Sequence, residues 1–420
     1  MRKLDKEFAL EPVPQKYRNG FWQMLAVMMG LTFFSASMLS GGELAMGLNL
    51  VQFVLIVLIG NLMLGLYTGA LAYIAAKTGL STHLLARYAF GKKGSYLPSF
   101  LLGITQVGWF GVGVAMFAVS VNQATGTNIY MLVIVIGLVM TITASFGMQA
   151  LMILSIVAVP AIIILGGYAA LDAAQIAGGI PALLAYEPRD VMGLASALTI
   201  CLGSFISAGT LTPDFARFAK TKRTAASVTI IAFFIGHSCM FFFGAIGTFA
   251  FGVGDISEVM FKQGLMIPAI FVLGFNIWTT NDNALYASGL GFSNITKIRK
   301  EKTVIFNGIA GTIAALWLYN HLTVFLTFLG STLPSIGAII LADYFILKKG
   351  AYESFETMKF SSVNWLAIVA WVCGVLAGNV FPGVPPINGV IVTAVIYVTA
   401  MKVAEKVDEK RPTPLKEKVG

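Results

Sequence analysis

Met29-Gly30-Leu31-Thr32-Phe33-Phe34-Ser35-Ala36-Ser37, running on to Gly41-Gly42, places glycine and hydroxyl side chains in the middle of an apolar block that spans 21–44. A block of that length is a membrane span, because crossing hydrocarbon takes about 20 apolar residues. Gly203-Ser204-Phe205-Ile206-Ser207-Ala208-Gly209-Thr210 repeats the composition five apolar blocks later. One such cluster alone reads as close helix packing. Two at matching places in two five-span halves form the pattern of inverted repeats with discontinuous helices and a binding site near the midplane. The halves show no internal identity, so the repeat rests on this pattern.

Outward from these clusters, the apolar blocks continue along nearly the whole chain. They fall at about 21–44, 49–76, 95–121, 129–147, 150–171, 191–212, 225–252, 264–292, 303–319, 322–346, 362–381 and 387–402. Only the polar Ser145–Gln149 stretch separates the fourth from the fifth. Of 420 residues, 57% are apolar and 11% charged, where a soluble domain carries about 25% charged residues. Transmembrane strands would alternate in polarity over about 10 residues, and no such alternation occurs. The expected fold class is therefore all-α and membrane-embedded, with twelve helices. A core at 21–346 divides into repeats at about 21–171 and 191–346. Helices 11 and 12 at 362–402 are an addition, and 1–20 and 403–420 are tails.

The net charge of +9 sits almost wholly in short loops and tails. If the N-terminus is cytoplasmic and the spans alternate, all but two of the 28 basic residues fall inside. The exceptions, Arg189 and Lys262, stand beside acidic neighbours. Basic residues set topology by staying on the cytoplasmic side, which predicts both termini there and the lipid bilayer, not nucleic acid, as the partner of the charge. No obligate protein partner is expected. Cys201, Cys239 and Cys373 are scattered through apolar blocks and read as small core residues. His83, His237 and His321 show no ligand spacing, and no phosphate-binding loop is present, so neither a bound cofactor nor ATP-driven pumping is expected. A membrane-bound deaminase would need zinc-ligand spacing that is missing. A passive channel stays open as a rival.

Two spans carry the candidate chemistry. In the third, Gln106 and Trp109 lie three apart, on one helix face. That pair is glue and packing, or it is an amide and an indole offered to a flat hydrogen-bonding ring. In the eighth, Asn276, Thr279 and Thr280 share a face within Asn276-Ile277-Trp278-Thr279-Thr280-Asn281-Asp282-Asn283. Polar groups in a span are costly, so such a cluster is a functional candidate. Its hydroxyls, joined by carbonyls freed at a helix break, suit a small hard cation such as sodium. Asp282 offers proton coupling as the alternative, or a bland pairing near the cytoplasmic end.

These residues, together with Lys77-Thr78-Gly79-Leu80, His83-Leu84-Leu85-Ala86-Arg87 and Leu273–Tyr286, resemble the bacterial cytosine permeases of the first nucleobase–cation symporter family along almost the entire chain. The resemblance implies a leucine-transporter-like fold of five plus five inverted repeats. Helices 1 and 6 would be discontinuous, and two further helices would follow the repeats. It implies sodium-coupled cytosine uptake by alternating access. It also implies a base sandwiched between Trp109 and Phe205, with edge contacts from Gln106, Ser204, Ser207 and Asn276. Sodium, the coupling ion, would be held by the carbonyls of Gly30, Phe33 and Asn276 and the hydroxyls of Thr279 and Thr280. A proton-coupled carrier of a purine, hydantoin or allantoin is the alternative. The region around Asp255 and the C-terminal tail carry no match and no assigned function.

Overall fold

A computed structural model of the chain describes residues 7–188, 190–321, 329 and 332–409. Arg2, Lys3, Lys6 and Arg189, the start of the predicted tenth span and the tail beyond 409 lie outside the described residues. Every predicted span falls on helix among the described residues. Besides the short helices Gly179–Leu184 and Ile256–Lys262, the α-helices in chain order are α1 (Phe21–Thr32), α2 (Ser35–Gly47), α3 (Leu50–Thr78), α4 (Thr82–Phe90), α5 (Tyr96–Thr125), α6 (Ile129–Ser145) and α7 (Met148–Ile176). The second half contains α8 (Leu194–Gly203), α9 (Ile206–Thr210), α10 (Thr212–Ala216), α11 (222–251), α12 (Met266–Thr296), α13 (Lys300–Asn320), α14 (Pro334–Leu347), α15 (Trp365–Val380) and α16 (Pro385–Glu409). Among the described residues, six stretches are by themselves long and apolar enough to cross a membrane, seven with α1 and α2 taken as one bent span. α6, α8, α14 and α15 are shorter apolar helices.

Local chemistry sets the ends. Asn49 caps α3 by accepting from the Gln52 amide at 2.9 Å, and Gly79, at φ +76°, closes the same helix. The turn between the fourth and fifth spans is where the polar stretch placed it. α6 stops at Ser145, and Gly147 takes φ +84°, a left-handed conformation that L side chains resist. The amphipathic helix α4, in the loop between the second and third spans, was not foreseen.

The first span breaks inside the Met29–Ser37 stretch, ahead of its glycine pair. α1 ends at Thr32, Phe33 and Phe34 are extended, and α2 leaves at 58°. No proline or glycine stands at the break. Gly41 and Gly42 serve close packing instead: a Cβ on Gly41 would lie 2.2 Å from the carbonyl oxygen of Phe241 in α11. From the other side, a Cβ on Gly244 would lie 1.8 Å from the Met38 carbonyl. Backbone on both sides cannot yield, so Gly244→Val is expected to destabilise the fold by about 1–3 kcal/mol or more. Melting in detergent measures this. Gly193→Ala, where a Cβ meets nothing within 4 Å, is the matched control.

The sixth span breaks twice. α8 ends at Gly203, Ser204 and Phe205 interrupt the helix, and Leu211 separates α9 from α10. The helical chain runs on to Ala216, four residues past the predicted end.

α12 is too polar to pass as a lipid-facing span, yet it is the centre of the molecule. Asn276, Thr279, Thr280, Asn281, Asp282, Asn283, Ser288 and Asn294 are all buried, and its most extensive packing is against α5. Protein on every side removes the need to satisfy those groups with lipid. The outer helices reverse the pattern, exposing Leu55, Ile59, Leu62 and Leu66 on α3 and Ile391 and Val395 on α16.

Beneath this centre, at the end where the basic loops gather, the N-terminal segment is folded in. Phe8, Ala9 and Val13 are buried. The fully buried Arg217 donates to the carbonyls of Phe8 at 2.7 Å and Glu7 at 2.9 Å and to the Tyr286 hydroxyl at 3.1 Å. Glu7 accepts from the Met148 amide at 3.2 Å and pairs with Lys300 at 3.9 Å.

Candidate functional site

Where the breaks of spans 1 and 6 face α5 and α12, the helices leave a cavity. Its empty space, mouth included, is about 460 Å³. Gln106 and Trp109 enter from α5, and Ser204, Phe205 and Ser207 from the broken sixth span. Phe34 comes from the first break, and Thr280, Asn281 and Asn283 from α12. No lining residue is charged. A neutral, flat, hydrogen-bonding guest suits such walls, because no buried charge would go unpaired.

Each aromatic wall is braced. Trp109 meets Phe34 edge to face, centroids 5.5 Å apart. Phe205 meets Phe233 at 5.4 Å and the His237 ring at 4.9 Å. His237 is held at both nitrogens, by Asn61 Oδ1 at 2.6 Å and Ser37 Oγ at 2.8 Å. Asn61 in turn donates to Ser238 Oγ at 3.0 Å. This buried network joins α2, α3 and α11 behind the Phe205 ring. Histidine spacing could not reveal it, since its members are far apart in sequence.

The sequence-predicted residues divide. Gln106, Trp109, Ser204, Phe205 and Ser207 come together on the cavity. Asn276 does not line it: its carboxamide accepts from Ser35 Oγ at 2.9 Å and faces Met240 Sδ at 3.8 Å. Two helical turns further along α12, Asn283 does line it, with both amide atoms buried and without a hydrogen-bond partner. Gln106 Nε2 is likewise buried and unpartnered. Asn281, although on the wall, is committed to α5, donating to the Phe110 carbonyl at 3.1 Å.

Beside the cavity the predicted cation residues meet across two helices. Thr280 Oγ1 lies 3.1 Å from the Phe33 carbonyl oxygen and 2.8 Å from that of Asn276. Thr279 Oγ1 lies 3.1 Å from the same Asn276 carbonyl. The break frees the Phe33 carbonyl from the helical ladder, and the threonine hydroxyl bridges it to α12. Gly30 sits against Ser155 of α7, whose Oγ lies where a Cβ would meet it at 2.4 Å. No cluster of His, Cys, Asp or Glu able to hold a metal occurs among the described residues. The oxygens gathered here are neutral, the kind that unwound spans offer a sodium ion.

Asp282 points away from both features, toward α6. Its Oδ1 lies 2.9 Å from Thr143 Oγ1, which also receives the Trp278 indole N–H at 2.9 Å. Its Oδ2 is buried without a hydrogen-bond partner.

Helices bent at the midplane around an uncharged cavity, inside an apolar exterior, define an integral membrane transporter. Residues 12–402 match the family described as permease for cytosine/purines, uracil, thiamine, allantoin, and the chain belongs to it. It is 55% identical to the cytosine permease of Escherichia coli strain K12, over 94% of both chains. Its fold is similar to that of Mhp1, a nucleobase-cation-symport-1 family transporter solved in a closed conformation with bromovinylhydantoin. The TM-score is 0.83 and the identity 18%, with 94% of this chain and 95% of that one covered. A sodium-coupled sialic acid symporter in an outward-open state also shares the fold, at TM-score 0.70 and 14% identity, over 97% and 93% of the two chains. The fold is the leucine-transporter-like one, with discontinuous first and sixth helices. The protein is a nucleobase-permease homologue of the bacterial inner membrane and not an enzyme.

Proposed function

We propose that the chain is a sodium–cytosine symporter, taking cytosine into the cell by alternating access. On this reading it crosses the membrane twelve times with both termini cytoplasmic, and divides into the repeats and tails given above. One observation carries the reading: five of the six residues expected to hold the base, Gln106, Trp109, Ser204, Phe205 and Ser207, line one uncharged cavity adjoining the Phe33–Thr280 junction. Asn276 belongs to the same reading through its carbonyl in the ion site. The 55% identity to a cytosine permease supports the substrate.

The geometry supplies a coupling rationale. The ion residues lie on α12 and on the first break, so they draw together only when those elements approach. Sodium bound there favours that arrangement, and a ligand shifts only an equilibrium whose two states it binds differently. Cytosine offers a ring acceptor, a carbonyl and an exocyclic amine. Uracil exchanges donor for acceptor at two of these edges and would leave buried groups unpaired, at about 1–3 kcal/mol each.

Uptake of labelled cytosine into proteoliposomes, with sodium replaced by lithium or choline and a panel of bases as competitors, tests the reading. Uptake is expected to need sodium and to be displaced by cytosine before uracil, hypoxanthine, hydantoin or allantoin. Uptake that survives without sodium and collapses with a protonophore would transfer the coupling to a proton. Asp282, with one buried oxygen unpartnered, is the residue that second reading would use. A relative at 22% identity, the hydantoin permease of Microbacterium maritypicum, motivates the choice of competitors.

A further inference from the structure

Three walls of the cavity continue past the aromatic pair toward the basic end of the molecule. On α5, which begins just after Lys92 and Lys93, Gln106 stands one turn nearer that end than Trp109. On α12, which runs into Lys297, Arg299 and Lys300, Asn283 stands one turn nearer it than Thr280. On the sixth span, Leu211 and Phe215 continue past Ser207 toward Arg217. The floor is closed by Phe215 against Tyr286, ring centroids 5.8 Å apart, with Arg217 and the folded-in N-terminal segment below.

This half of the cavity is apolar except for three amides, one of which, Asn281, is already committed to the Phe110 carbonyl. Asn283 is 1% exposed, and neither its oxygen nor its nitrogen has a hydrogen-bond partner. Gln106 is 4% exposed, with its nitrogen unpartnered. Buried polar groups are nearly always paired, and an amide held open into a cavity meets its partner there. Asn276 cannot stand in for Asn283. It lies seven residues earlier on nearly the same face, about 10 Å along the axis, and is engaged by Ser35.

We propose that Asn283, which shares the cavity with Gln106, is a second hydrogen-bonding station for the nucleobase on the release side of the Trp109–Phe205 pair. The inference rests on the nucleobase reading and places a contact beyond the expected set. The amide offers one donor and one acceptor, matching the alternating donor and acceptor edge of cytosine. A base leaving the rings toward the basic face then exchanges one polar partner for another and does not cross a purely apolar floor bare.

The experiment compares Asn283→Leu and Asn283→Ser with the unaltered protein in right-side-out and inside-out vesicles, reading half-saturating cytosine at each face. Removing one hydrogen-bonding partner of a buried ligand group corresponds to about a 5- to 150-fold weakening. Asn283→Leu is expected to show it at the basic face, with a smaller change at the opposite face. Asn283→Ser, smaller but still polar, is expected to fall between and stands in should the leucine variant not give monodisperse protein. Unchanged half-saturation at both faces would mean that water alone satisfies the amide, and an equal change at both would put Asn283 in the ring seat; either overturns the release-side station. Failure of the unaltered protein to take up cytosine would remove the nucleobase reading itself, a result distinct from both.

Discussion

Trp109→Ala is expected to weaken cytosine binding about 5- to 150-fold, the equivalent of the 1–3 kcal/mol found for stacking a base on an aromatic side chain. Phe205→Ala is expected to do the same. Both rings are almost fully buried, at 7% and 2% exposure, and both are braced from behind, so neither gains freedom that would offset a lost stack. Bracing also separates their secondary effects. Trp109→Ala removes the edge-to-face partner of Phe34 beside the first break. Phe205→Ala opens a void against His237, whose two hydrogen bonds remain. Equilibrium binding in detergent reads the effect directly, and Trp109→Phe should recover part of it. Unaltered affinity in both alanine variants would remove the sandwich.

Thr280→Ala is expected to raise the sodium concentration for half-maximal uptake about tenfold, the value of one lost oxygen ligand at about 1.4 kcal/mol. The hydroxyl also bonds the Phe33 and Asn276 carbonyls in the structure, so its loss leaves a buried carbonyl short of a donor as well. Thr280→Ser retains both contributions, since it keeps the hydroxyl and loses only the methyl, and so separates them from the packing of the side chain. The serine variant should hold the sodium curve of the unaltered protein while the alanine variant shifts it. A sodium curve that does not move in Thr280→Ala would count against the ion site, whatever happened to cytosine affinity.

Much of the molecule was readable before its fold was known, for reasons that are local. The length and apolarity of each block gave the spans, and Ser145–Gln149 correctly marked the turn that Gly147 makes. The polarity of Asn276–Asn283 singled out α12 as a functional candidate. The burial of that polar stretch is what makes its polarity tolerable. The first break was anticipated within Met29–Ser37, and it falls there. Gly41 and Gly42 signal packing against Phe241 and Gly244, whereas the break itself falls at two phenylalanines that no propensity would choose. It is held open by a partner, Thr280, 247 residues away.

The asparagines of α12 show the same division. Asn276 and Asn283 look equivalent in sequence, both polar and nearly on one face. Only the placement of Ser35 commits the first to a neighbour and leaves the second facing the cavity. His237 read as an isolated histidine in a span. It is the bolt behind Phe205, because Ser37 and Asn61 converge on it from two other helices.

The apolar blocks, their number and the two glycine and hydroxyl clusters are properties of the chain itself. In hydrocarbon each segment must satisfy its own backbone, so the helical character and rough place of the apolar spans follow from composition. Which groups those helices leave without partners, and hence where a base or an ion can bind, is a property of contacts between residues hundreds of positions apart. The tertiary structure alone decided that.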